Sequence, residues 1–403
     1  MNARVIDGDA FVDKPGDAHA APAASWGALA AIGVGAFALV TTEFLPVGLL
    51  PQIAHDMSIT EGRAGLALTM SGLLAALAAP VTMATAWSFD RRKLLLILLG
   101  TLLLSNLIVA VAPSFPVFLL GRVLLGATIG AFWTVAGPLG PRLRPGPKAG
   151  LATAIILSGV SLGTVAGVPA GALVSGVLGW RLAFAVSAAV ALAVLVAVAV
   201  LVPPLAATSG SGLKELGRVL KNRKVQFGLI GTVVSFAGQF AAYTYITPFL
   251  FKVVRIDSLT VSAVLFAFGI AGVVGNILGG WLVGKSVHWA LVTTLTLLGV
   301  SLLTLIVFGT NPVIAIPLVV AWGLGFGMQP IVTQGWMFNA AQGPLEGVQA
   351  IFVSAAQLSI SSGALLGGLA FDRLGLTAAF GIAAVTAFAT AAMFAVPKAS
   401  TSQ

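Results

Sequence analysis

What most limits this chain is a succession of twelve apolar stretches, each near the 20 residues a helix needs to cross about 30 Å of hydrocarbon. They fall at residues 26–50, 65–88, 94–112, 116–137, 150–176, 181–202, 226–250, 259–283, 289–308, 313–335, 347–370 and 376–396. A soluble core has no room for that much unbroken apolar sequence. Only 8% of residues are charged, against about 25% in an average globular protein, so soluble multidomain, coiled-coil and disordered classes are excluded. The fold class is an all-α polytopic membrane protein with twelve transmembrane helices. Its 48 glycines suit helices whose backbones approach closely in lipid. The lack of cysteine removes disulfides, thiolate metal sites and a cysteine nucleophile.

A net charge of +9 would point to nucleic acid in a soluble chain, but here position decides. With the N-terminus in the cytoplasm, that side collects 15 of the 21 Lys and Arg, among them Arg91 to Lys93, Arg142, Arg144, Lys148 and the run from Lys214 to Lys224. Five lie on the opposite side, and Arg122 lies within a helix. The positive-inside rule therefore puts both termini in the cytoplasm, reads the basic loops as topology signals and leaves no nucleic-acid partner. Residues 1–25 are polar and acidic, lack the basic start and apolar core of a signal peptide, and read as a disordered cytoplasmic tail.

The polar segment 203–224, with its Ser-Gly repeat and basic run, separates six stretches from six. It is expected to be a cytoplasmic linker between an N-terminal bundle at 26–202 and a C-terminal bundle at 225–396, with a short tail at 397–403. A shift of 196 residues superposes Gly167 on Gly363, Gly171 on Gly367, Gly179 on Gly375 and Phe184 on Phe380. Such an internal repeat implies two related bundles with a substrate path between them.

Of twelve acidic residues only Glu43 falls inside a span, and Arg122 is the only cation so placed. A carboxylate there costs at least about 2.5 kcal/mol by insertion scales, so it is expected to face a wet cavity or a partner. Counted from the expected outer helix ends, Glu43 and Arg122 lie at depths of about 10 and 9 Å, close enough to meet. A carboxylate next to an arginine keeps its charge, while one desolvated and unpaired takes up a proton, so a change in their separation would load and release protons. A permanent ion pair, or a glutamate snorkelling outward, is the structural alternative. His19, His55 and His288 lie in the tail, a loop and a helix end. One glutamate and one arginine supply neither a nucleophile with its base nor a metal set, so the chain reads as a non-enzyme.

The stretches TTEFLPVGLLPQIAHDMSITEGRAG from Thr41, GRVLLGATIGAFW from Gly121, GWRLAF from Gly179 and SFAGQFAAYTYITPFL from Ser235 resemble the drug and sugar proton antiporters of the major facilitator superfamily. The nearest likeness is to bacterial purine ribonucleoside efflux permeases, then to arabinose and other sugar exporters. The resemblance implies that Arg122 serves proton coupling, with Glu43 as its acidic counterpart. Gly163, Gly167, Pro169 and Gly171 are similar to the antiporter signature of the fifth helix, although small-residue packing explains such glycines without antiport. Asp90 and Arg91 resemble a cytoplasmic loop motif that clasps the inward gate. The usual glycine after the aspartate is missing here, which leaves a topology anchor as the alternative.

The same shift places Glu43 on Gln239, a neutral hydrogen-bonding residue. Gln239, Tyr243, Tyr245, Gln349 and Gln357 are expected to bind hydroxyls and ring nitrogens, and Trp133 and Trp336 to stack on a base. Interhelical bonding and interfacial tryptophan belts are the alternatives for each. The expected function is a monomeric, proton-coupled efflux antiporter of a bacterial inner membrane, driven by the proton gradient without a cofactor, and carrying purine ribonucleosides. A multidrug or sugar exporter is one alternative, and a non-coupled facilitator or membrane sensor the other.

Overall fold

The computed structural model describes residues 25–85, 89–136, 139–144, 148–205, 217, 219–341 and 345–395. All but the last residue of the expected N-terminal tail, the middle of the expected linker and the expected C-terminal tail lie outside them. Twelve helices long and apolar enough to cross a membrane occupy the described residues. In chain order these are α1 Trp26–Asp56; α2 in two pieces, Glu61–Ala64 and Leu66–Thr85; α3 Arg91–Ala110; and α4 Phe115–Ala136. Next come α5, built from Ala149–Leu162, a π-helical turn Gly163–Gly167 and Val168–Leu178, and α6 Trp180–Leu201. The second six are α7, Arg223–Tyr243 prolonged by Ile246–Phe249 and a π-helical turn Leu250–Val254; α8 Ser258–Lys285; α9 Val287–Phe308; α10 Pro312–Ala340; α11 Leu345–Leu374; and α12 Leu376–Ala395. An even number of crossings leaves the start of α1 and the end of α12 on one face, called here the terminal face, opposite the far face.

Helix starts follow local chemistry. Side-chain oxygens of Ser25, Asp90, Asn222, Asp257, Ser286 and Asn311 accept the amides that an N-terminal turn leaves unpaired. Helix ends depart most from expectation in α1, which runs six residues past Leu50 to Asp56 through both Pro46 and Pro51. Its extension buries Ile53 and Ala54.

The repeat extends from residues to contacts. In the first six helices α1 packs on α5, α2 on α4 and α3 on α6; in the second six α7 packs on α11, α8 on α10 and α9 on α12. Gly167 lies against Thr41 and Gly171 against Leu45; 196 residues on, Gly363 lies against Ala237 and Gly367 against Ala241. Gly179 and Gly375 turn the chain into the next helix at φ 84° and 91°, a conformation that glycine alone adopts freely. Both partners of each contact thus obey one offset.

The two sixes meet where α2 packs on α11, α5 on α8 and α1 on the end of α7. The cross-contacts run from mid-span toward the far face. A groove of about 790 Å³ opens on that face between α1, α5, α6, α7 and α8, and no site residue expected from the sequence lines it.

Candidate functional site

Arg122 is wholly buried and holds main chain. Its Nη1 donates to the Thr42 carbonyl at 2.8 Å, Nη2 to the Glu43 carbonyl at 2.8 Å and to Ser71 Oγ at 3.4 Å, and Nε to the Ala67 carbonyl at 3.1 Å. The reason lies in α1. The Thr42 carbonyl would take its helical bond from residue 46, which is proline and has no N–H. Arg122 supplies the missing donor and ties α4 to α1 and α2. On α3, Asn106 Nδ2 adds a bond to Thr42 Oγ1 at 3.3 Å.

Glu43 is 3% exposed, and its carboxylate turns to the other half of the molecule, where Oε1 accepts from Gln357 Nε2 of α11 at 3.1 Å. The expected meeting with Arg122 therefore occurs through the Glu43 backbone. No carboxylate–guanidinium pair forms between them, in contrast to the ion pairs of Arg181 with Asp56 and Lys252 with Glu61 near the far face. Thirteen residues separate Glu43 from the far end of α1, about 20 Å of helix. The expected depth was half that, because the helix overruns its apolar stretch. Next to Glu43, Phe44 stacks on Phe240 with centroids 5.9 Å apart, so residues equivalent under the repeat face each other across the two halves.

Gln239, at the position equivalent to Glu43, is buried and its Nε2 has no partner; neither has Gln357 Oε1. Tyr243 is buried among Phe44, Phe240, Phe268, Trp322 and Phe326. Glu43, Gln357, Phe44 and Tyr243 thus adjoin one central layer. Tyr245 instead faces the far-side closure, donating to the Ala364 carbonyl at 2.9 Å and the Gly62 carbonyl at 3.3 Å. Trp133, Trp336 and Gln349 lie within four residues of the terminal-face ends of their helices. Trp133 packs edge-on to Phe132, Trp336 packs on Phe394, and Gln349 accepts from Gln334 at 2.6 Å.

The glycine series of α5 lies along α1, Gly163 against the Phe37 carbonyl at 2.9 Å from where a Cβ would stand. Pro169 cannot donate to the Val165 carbonyl four residues earlier, and the π-helical turn Gly163–Gly167 forms there. Asp90 caps its own helix through Lys93 N at 3.0 Å and accepts Leu205 N at 2.9 Å, while Arg91 N donates to the Leu205 carbonyl. This fastens the start of α3 to the chain leaving α6.

Sequence reasoning missed the far-side contacts. Asp372 of α11 accepts from Thr60 Oγ1 at 2.6 Å and Gly62 N at 3.2 Å, Lys252 pairs with Glu61 at 2.7 Å, and Ser361 Oγ donates to the Thr69 carbonyl at 2.6 Å. Separations near 200 to 300 residues leave no local signal. Asn106, which bonds Thr42 within the first six helices, was missed as well, although a polar residue in mid-span is a signal that could have found it. Among the described residues no cluster of His, Cys, Asp and Glu could hold a metal ion.

A family-wide sequence pattern described as Major Facilitator Superfamily matches residues 32–348. Transcription regulatory protein OpdE of Pseudomonas aeruginosa is 36% identical over 92% of this chain and 91% of its own length. Purine ribonucleoside efflux pump NepI of Shigella sonnei is 31% identical over 91% of this chain and 93% of its own, and NepI of Escherichia coli is 31% identical over the same shares. Among solved structures, the human organic anion transporter MFSD10 (TETRAN) superposes with a TM-score of 0.65 at 16% identity, covering 91% of this chain and 99% of the other. At that identity the likeness speaks for the fold alone.

Proposed function

The chain belongs to the major facilitator superfamily and is a multi-pass membrane transporter, not an enzyme, and from that premise we propose that it expels purine ribonucleosides in exchange for protons. The observation that carries this reading is Glu43: a carboxylate in mid-membrane, at the contact of two six-helix units, bonded only to a neutral amide. Ionised, it is costly to bury; protonated, it is not. A group so placed takes a proton from one side and gives it up to the other as the units rock. The NepI relatives support the choice of cargo. The excess of Lys and Arg on the terminal face supports cytoplasmic termini, with residues 203–224 as the tether between units and a bacterial inner membrane as the site. At about 150 mV each charge moved supplies roughly 3.5 kcal/mol, a gradient of a few hundredfold.

In this reading Arg122 binds no solute. Its charge fixes the proline-broken stretch of α1 and so aims Glu43 at α11. Gln239, Tyr243 and the stacked Phe44 and Phe240 form the neutral, aromatic wall a base requires. Proteoliposomes with an imposed pH gradient test the proposal: nucleosides should accumulate uphill with the wild type and not with Glu43→Gln. Uphill transport by Glu43→Gln equal to wild type refutes it. A second reading, a membrane sensor, is favoured by the name of the OpdE relative. It requires wild-type vesicles that move neither nucleosides, sugars nor cationic dyes.

A further inference from the structure

Six hydrogen bonds join the two six-helix units among the described residues. Five are formed by neutral groups or by charges near the far face: Thr60 and Gly62 to Asp372, Lys252 to Glu61, Tyr245 to the Gly62 carbonyl and Ser361 to the Thr69 carbonyl. The sixth, Gln357 to Glu43, is the innermost rung of this ladder. It is also the only one with an ionisable group buried in mid-span, Glu43 being 3% and Gln357 6% exposed. Just beyond it, a Cβ on Gly72 would stand 2.8 Å from the Gln357 carbonyl, so α2 and α11 are in backbone contact next to the rung.

We propose that Gln357 is the interlock of the exchange: by donating to ionised Glu43 it holds the empty, deprotonated carrier closed at the far face, and it yields when a solute or a proton takes over the carboxylate. This rests on Glu43 being the proton carrier. A hydrogen bond to a carboxylate is about twice as strong as one between neutral groups, and parting the pair would leave a buried charge unpartnered. An empty, ionised carrier is therefore kept from reorienting. A nucleoside entering from the terminal face offers its own N–H or O–H to Glu43 and its own donors to the unused Gln357 Oε1. The lock is then exchanged for bonds to cargo, and the units are free to move. After release, a proton from water on the far side neutralises Glu43, the rung re-forms only as a weaker neutral bond, and the carrier returns to discharge the proton at the terminal face.

The surroundings fit a two-party lock. The charged group facing Glu43 is Arg122 from α4, committed to carbonyls; α2 presents Ser71 to that arginine, α11 presents Gln357, and on α7 Tyr243 lies edge-on to Phe44 with centroids 6.1 Å apart. No second acid shares the site among the described residues. The interlock thus blocks the crossing of an ionised empty carrier, which together with the permitted return of the protonated one would make a cycle that leaks protons.

Gln357→Met in proteoliposomes with a pH gradient and no solute measures that leak. Wild-type vesicles should hold the gradient until guanosine is added. Gln357→Met vesicles should lose it without guanosine at least about tenfold faster, the factor a lost hydrogen bond to a charged group is worth, and adding Glu43→Gln should stop the leak. Gln357→Asn, which keeps the amide but shortens its reach, should leak likewise. Because the chain has no cysteine, spin labels at Arg63→Cys and Arg373→Cys, both exposed at the far face, give a second reading without transport. The distance between them should be single and short for the solute-free wild type at alkaline pH, and should gain a long component in Gln357→Asn. A tight Gln357→Met, or an unchanged distance in Gln357→Asn, overturns the interlock while wild-type vesicles still show guanosine-dependent proton flow. If the wild type shows no such flow, the antiport reading falls and the interlock falls with it.

Discussion

Replacing Arg122 by Met removes a guanidinium that bonds three carbonyls, but the three do not lose equally. The carbonyls of Glu43 and Ala67 keep helical donors at residues 47 and 71, and Ala67 also keeps Ser71 Oγ at 3.0 Å. The Thr42 carbonyl keeps none, since residue 46 is Pro46. One fully orphaned, buried carbonyl costs about 1–3 kcal/mol. Pro46→Ala returns an N–H to α1 at the position that faces Thr42. In the wild type that donor is superfluous and the change should be close to neutral; with Arg122→Met it should recover the orphan. The double-mutant cycle, read from unfolding of the purified protein in SDS titrations, should therefore show a coupling of about 1–3 kcal/mol. Effects additive within about 0.5 kcal/mol would refute the view that Arg122 repairs the break made by Pro46.

Gly363→Val should destabilise by about 1–3 kcal/mol, because its side chain meets the Ala237 backbone, whereas Gly381→Ala meets nothing within 4 Å and should be neutral or stabilising; thermal unfolding in detergent compares them. Asp372→Asn should open the far face by weakening its bonds to Thr60 and Gly62, seen as faster thiol labelling of a single cysteine placed at Ser361. Hydrogen bonds from Thr260 hold the carboxyl of Asp257 below the usual carboxylate range. A lowered pKa stabilises above the unfolded value and is lost as pH falls through the folded one. Asp257→Ala should accordingly lower the protection factors of the Leu259 and Thr260 amides at neutral pH, and acidification below the usual carboxylate range should lower them in the wild type.

Hydropathy made the twelve crossings legible, since nothing but lipid accounts for stretches of that length and composition. It placed the end of α1 at Leu50, six residues short, because the helix runs on through Pro51 to Asp56; at Pro46, which the expected span already included, Arg122 supplies the donor the proline withholds. The repeat was legible in glycines because Gly167 and Gly363 each sit where a Cβ would run into a neighbouring helix, the first into the Thr41 side chain and the second into the Ala237 backbone. Glu43 and Arg122 stood out by charge. Their partners did not: carbonyls belong to every residue, so only Pro46 hinted at what Arg122 holds, and Gln357 lies 314 residues from Glu43. Trp133, Trp336 and Gln349 were chosen by chemical type, which carries no depth, and helix length sets them near the terminal face.

The central claim is that Glu43 exchanges a proton for a solute. Adding guanosine to the purified protein in weakly buffered detergent, at a pH where Glu43 is partly protonated, measures this directly. Binding should drive protons into solution from the wild type and none from Glu43→Gln, with affinity weakening as the pH is lowered. Guanosine that binds without releasing protons, or that releases as many from Glu43→Gln, would contradict it.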